Sequence, residues 1–218
     1  MFVKICGTTS EEDALLAVAM GADAVGFIFA PSPRQVAGTR VRDILTRLPR
    51  EIMTVGVFRD EAPERVLEIV QETRLGAVQL HGHETAEESR WLAERVRFLI
   101  RAVPAGSPDL AHIDDFGAHA VHIDSETPGS GQVFDWSLAE GAPSHRKIIL
   151  AGGLNADNVG DAIARVQPWG VDAVTGVESE PGRKDPRKLR TFIAAARAAA
   201  PAGYEGTESG PYDWNEDF

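Results

Sequence analysis

Residues 2–29 read FVKICGTTSEEDALLAVAMGADAVGFIF. A β-rich run, Phe2 to Cys6, gives way to Thr9-Ser10-Glu11-Glu12, a helix cap with acids in the first turn. Ala14, Leu15, Val18 and Ala19 then repeat at helical spacing and predict a buried stripe, and Gly21 ends the segment. A second β-rich run follows from Ala24 to Phe29. A strand, a short helix and a second strand in so few residues is a β-α-β unit of a parallel sheet.

The pattern continues along the chain. Further strands are predicted at Met53–Phe58, Ala77–His81, Phe98–Val103, Ala120–Asp124, Lys147–Ala151 and Val171–Val174. Helices are predicted at 39–48, from Pro63, at 85–95 and 108–116, as a stub at 136–140, at 155–166 and at 185–199. Eight units fill residues 1–200, just enough for a (β/α)8 TIM barrel, which needs about 200 residues or more. An open doubly wound sheet is the rival, but no G-x-G-x-x-G follows the first strand. The barrel is assigned to residues 1–202. The remainder, 203–218, holds five acids and no Lys or Arg, and reads as an acidic, disordered tail in which Tyr212, Trp214 and Phe218 leave room for docking.

The 218 residues are 43% hydrophobic and 25% charged, with a formal net charge of −11. That composition excludes a mostly disordered or collagen-like chain and disfavours a nucleic-acid groove, which needs Lys and Arg against phosphates. One cysteine cannot form an intramolecular disulfide or a multi-thiolate zinc site. No basic leader precedes a long apolar run, and no run approaches the ~20 residues of a membrane span. A cytoplasmic protein without a membrane partner is expected.

Barrel enzymes work at the C-terminal ends of their strands. Strand alternation puts Lys4 and Cys6 on one face and Val3 and Ile5 on the other. The apolar pair should face the helices, so Lys4 and Cys6 should point inward. An adjacent ammonium would lower the thiol pKa and favour thiolate, a base or nucleophile. The same reasoning turns His122 and Asp124 inward, and a partly buried carboxyl group can serve as a general acid. Arg34, in Pro31-Ser32-Pro33-Arg34, is placed to pair with a substrate carboxylate. His81 could line the pocket, while His83 and Glu84 fit the loop and helix start. H-G-H-E is no metal-ligand spacing by itself, so neither a metal nor a cofactor is expected. Gly131, Gly152, Gly153 and Gly176, with Thr175, form loops through which backbone N–H groups can approach an anion. Asn155 is placed to cap the helix after the second loop. A buried lysine needs a partner, so Lys4 should pair with Asp172 where the first and last strands meet.

The chain resembles the phosphoribosylanthranilate isomerases of tryptophan biosynthesis. The resemblance lies in Lys4-Ile5-Cys6-Gly7, Gly21 to Phe29, Ser32-Pro33-Arg34, Val55 to Phe58, Val78 to Gly82, Gly129-Ser130-Gly131, Phe134-Asp135-Trp136, Leu150 to Leu154 and Gly176-Val177-Glu178. It implies an Amadori rearrangement of N-(5-phosphoribosyl)anthranilate to 1-(2-carboxyphenylamino)-1-deoxyribulose 5-phosphate. It also implies Asp124 as acid, Cys6 as base, Arg34 on the anthranilate carboxylate, and the glycine loops on the phosphate. No cofactor is implied, and the enzyme would be a monomer or homodimer. Pro128, Gln132 and Val174 depart from the family's pattern. The histidine-pathway isomerase is a rival, but it has an aspartate where this chain has Cys6. Indole-glycerol-phosphate synthase needs a catalytic lysine, and Lys4 lies too deep. A non-catalytic phosphosugar-binding barrel remains the alternative from another class.

Overall fold

In the computed structural model, residues 1–125, 135–139 and 145–201 are described. The sequence readings at Pro128, Gly131, Gln132 and the 203–218 tail fall outside them. Eight parallel strands close into a barrel: β1 (Phe2–Ile5), β2 (Ala24–Ile28), β3 (Met53–Phe58), β4 (Ala77–Leu80), β5 (Leu99–Pro104), β6 (Ala120–Asp124), β7 (Lys147–Leu150) and β8 (Gly170–Ala173). The seam joins β1 to β8, with Lys4 opposite Asp172.

Around the barrel lie helices α1 (Glu11–Ala19), α2 (Gly38–Leu45), α3 (Pro63–Thr73), α4 (Ala86–Ala93), α5 (Val159–Val166) and α6 (Pro186–Ala198). The segment after β5, Pro108–Phe116, is 3-10 helix, and so is Trp136–Ala139 after β6. A small hairpin, β9 (Glu178–Glu180) with β10 (Arg183–Lys184), separates β8 from α6. Among the described residues no helix is long and apolar enough to cross a membrane.

Alternation sorts the side chains. Val3, Ile5, Val25, Phe27, Val121, Ile123, Leu150 and Val171 face the helices in the main core. The barrel's N-terminal end is plugged by Phe2, Ala24, Val55, Ala77, Phe98, Ile100, Ala120 and Ile149. Phe2 stacks on Trp169, with ring centroids 4.4 Å apart. The apolar plug leaves the opposite end to polar groups.

Some local expectations are corrected. Leu15 is 38% exposed and Ala19 is exposed, whereas Ala14 and Ala17 are buried. The buried face of α1 is turned because Asp13 points inward and accepts the Lys184 backbone N–H at 3.1 Å. Asn155 does not cap α5. Its backbone N–H donates to Asn158 Oδ1, its own Oδ1 accepts from Asp157, and the helix starts four residues later. Glu84 does stand just before the α4 start, as read from the sequence. It is buried against Arg101 and accepts the backbone N–H groups of Asp60 and Gly82, each at 2.9 Å, tying together the loops after β3 and β4. Thr85 takes the cap of α4, in a capping box with Glu88.

Candidate active site

A cavity of about 350 Å³ opens at the C-terminal end of the strands. Cys6 comes to it from the end of β1, Gln79 and His81 from β4, His122 and Asp124 from β6, and Asp172 from β8. Arg34 arrives on the loop after β2, and Gly152, Gly153 and Thr175 on the loops after β7 and β8.

Cys6 is 4% exposed. A methyl group on Gly26 of β2 would lie 2.6 Å from its sulfur, so the thiol occupies the space a side chain would take. Burial raises the thiol pKa, and the Lys4 ammonium only partly opposes it. The expectation that Lys4 would leave Cys6 a ready thiolate is therefore corrected. Lys4 stays charged, since Asp172 and Cys6 outweigh the burial that favours its neutral form. The predicted Lys4–Asp172 pair is present at 2.7 Å. His122 Nε2 donates to the same carboxylate oxygen at 2.8 Å. Burial would raise Asp172, but Lys4 and this bond hold it well below the ordinary range.

Asp124 is buried at the mouth, and burial raises its pKa against the opposing pull of His122 and the Ser125 N–H. That N–H donates to Oδ1 at 2.7 Å, while Oδ2 faces His81 Nε2 at 3.7 Å. His81 is neutral, its pKa lowered to about 3 by burial and by His122 and Lys4. Gln79 Nε2 donates to His81 Nδ1 at 3.2 Å. The ring proton therefore lies on Nε2, toward Asp124.

Arg34 is already engaged. Its Nε and Nη2 donate to both oxygens of Glu178, at 2.7 to 3.1 Å. One edge of the guanidinium is thus occupied, and among the described residues Nη1 makes no hydrogen bond. Lys184 Nζ shares Glu178 at 3.2 Å and donates to the Cys6 carbonyl at 2.5 Å. Gly7, at φ 72°, packs on the arginine, and a methyl group there would lie 2.7 Å from Arg34 Cδ. Gly152 and Gly153 both have left-handed φ, 84° and 65°, which bends the loop after β7 around the cavity. Gly176 packs beneath that loop, where a methyl group would sit 2.0 Å from the Leu154 carbonyl oxygen.

Residues 3–195 match the family model described as N-(5'phosphoribosyl)anthranilate (PRA) isomerase. The chain belongs to this family. A PRA isomerase from Desulforudis audaxviator is 46% identical over 90% of this chain and 98% of its own. The Thermus thermophilus PRA isomerase structure superposes with a TM-score of 0.86, at 40% identity, over 91% of this chain and 99% of that one. A further PRA isomerase structure, solved in complex with reduced 1-(o-carboxyphenylamino)-1-deoxyribulose 5-phosphate, gives 0.79 at 40% identity over 91% and 99%.

The structure brings the residues singled out in the sequence to one place. Cys6, Asp124, Arg34, His81, Gly152, Gly153 and Thr175 all line the cavity, and Gly176 supports its rim from beneath. Glu178, Lys184 and Gln79 were given no part. Position two residues before His81 on an inward strand face would have found Gln79. The family blocks include Glu178, but nothing local assigns it to Arg34, which lies far away in the chain.

Proposed function

We propose that this chain catalyses the Amadori rearrangement of N-(5-phosphoribosyl)anthranilate in tryptophan biosynthesis, with Asp124 as acid and Cys6 as base. The observation that carries the assignment of roles is the meeting of a buried carboxyl group and a buried thiol in one cavity with an arginine. Asp124 protonates the furanose ring oxygen, the C1–O bond breaks, and a Schiff base forms at C1. Cys6 takes the proton from C2, giving an enolamine. Tautomerisation delivers a proton to C1 and leaves the ketone at C2. The raised carboxyl pKa favours the protonated form an acid needs. The thiol becomes a base when its proton leaves, and Lys4 stands beside it to stabilise the anion.

The unoccupied edge of Arg34 suits the anthranilate carboxylate, with Glu178 keeping the guanidinium in place. Backbone N–H groups around Gly152, Gly153, Thr175 and Gly176 suit the phosphate, and Gly131 would add to them. A monomer or a homodimer suits this reading. A reduced Cys6 fits the cytoplasm.

The test mixes purified enzyme with freshly made phosphoribosylanthranilate, without added metal, and follows the loss of anthranilate-type fluorescence. Wild type should turn over. Cys6→Ala and Asp124→Asn should each lose activity by ~100-fold or more while still binding the product analogue. Wild-type turnover in either variant would remove that residue from its role.

A further inference from the structure

We propose that His81, His122 and Asp124 form a binding site for one transition-metal ion of the zinc type, and that the ion switches the active site off. One donor atom from each residue lies within 4.8 Å of the other two. Two imidazoles and a carboxylate suit Zn2+, Co2+ or Ni2+ rather than the all-oxygen cations.

The surroundings are those of ligands already oriented. His122 donates Nε2–H to Asp172 at 2.8 Å, and Lys4 holds that carboxylate from its other side at 2.7 Å. A carboxylate behind an imidazole fixes its tautomer and its orientation. The remaining nitrogen, His122 Nδ1, is buried and has no hydrogen-bond partner among the described residues. Asp124 gives Oδ1 to Ser125, which leaves Oδ2 facing His81 Nε2 at 3.7 Å. Ligands of tetrahedral zinc at ~2.0–2.1 Å stand roughly 3.3 Å apart, so this pair closes by a few tenths of an ångström.

His81 Nε2 carries a proton while Gln79 donates to Nδ1. Gln79 Oε1 is itself buried without a partner among the described residues. A half-turn of the amide would let Oε1 accept Nδ1–H and free the Nε2 lone pair for the ion. An ion coordinated by His122 Nδ1 would give that orphaned atom a partner, and the turned amide would give one to Gln79 Oε1. Leaving such buried atoms unpaired is costly.

Metal binding does not depend on the isomerase reading, but the switch does, because the ion occupies the oxygen of the acid. The test strips the full-length protein with chelator and titrates it with Co2+. One equivalent should produce the intense visible absorption of tetrahedral cobalt, and Zn2+ should displace it. His81→Gln and His122→Gln should abolish the spectrum. Asp172→Asn should weaken binding ~10- to 100-fold, and circular dichroism reports whether each variant folds. His83→Gln, on the exposed loop, should bind as wild type. Zn2+ should inhibit turnover in proportion to occupancy, with substrate protecting and chelator restoring activity. No cobalt spectrum, or one unchanged in the histidine variants, overturns the site. A thiolate-to-cobalt charge-transfer band overturns the donor set by making Cys6 a ligand. Full activity with zinc bound overturns the switch alone and leaves the site standing.

Discussion

At the scale of single residues, Cys6 sets desolvation against charge. The thiol sits beside an ammonium, yet its pKa is raised because burial outweighs Lys4. In the free enzyme, alkylation by iodoacetamide should therefore keep accelerating as pH passes the ordinary thiol value of ~8.5, and substrate should protect. A rate that levels off below that value would mean the site stabilises thiolate before substrate arrives. Gly26 matters for the same reason. Adding a methyl group 2.6 Å from the sulfur forces the thiol or the strand to move. Gly26→Ala should cost about 1–3 kcal/mol and, with Cys6 as the proposed base, lower kcat by ~100-fold, since ångström-scale misplacement of a catalytic group is that damaging. Unfolding titrations and steady-state kinetics read both numbers, and unchanged kcat would show that the base tolerates the shift.

At the scale of elements, the short β9–β10 hairpin does more than connect β8 to α6. Through Glu178 it fixes Arg34 and Lys184, and through the Gly182 carbonyl it receives the Thr9 hydroxyl at 2.6 Å. Burial pushes the Glu178 pKa up, but the Arg34 hydrogen bonds and the Lys184 charge win and hold it below the ordinary value. A depressed carboxyl pKa gives stability that is complete above the unfolded value of ~4.3 and is lost as pH falls through the folded one. Glu178→Gln should remove that part of the acid destabilisation and raise KM, because Arg34 loses its anchor. An acid-unfolding curve identical to wild type would remove the ion pair from the stability of the fold. Arg34→Ala should chiefly raise KM as well, with kcat less affected, and steady-state kinetics would separate the two. The elements themselves were legible in the sequence because strands and helices impose their own periods. Inward Lys4, Cys6, His122, Asp124 and Asp172 follow from a period of two. The turned face of α1 was not legible, because it depends on Lys184 bonding to Asp13 from far along the chain. The same distance in sequence hid the Arg34–Glu178 pair.

At the scale of the whole molecule, a barrel holds together only if its last strand finds its first. The seam pairs Phe2 with Gly170, Val3 with Val171, Lys4 with Asp172 and Ile5 with Ala173. Gly170 is required there, since a methyl group would lie 2.8 Å from the Phe2 ring. A slip by one residue would turn Lys4 toward the helices and leave two buried charges unpaired. The Lys4–Asp172 pair therefore acts as a register mark as well as a bond. Lys4→Met removes the ammonium and leaves Asp172 buried with only His122. That single change should cost about 3–5 kcal/mol in urea unfolding. Lys4→Met combined with Asp172→Asn removes both charges and keeps an acceptor for His122, so the pair of changes should cost clearly less than the sum of the two alone. Strict additivity would show that the two charges do not interact across the seam. A double variant close to wild type in stability would show that the seam closes on shape and strand pairing, and that the ion pair chiefly serves the thiol above it.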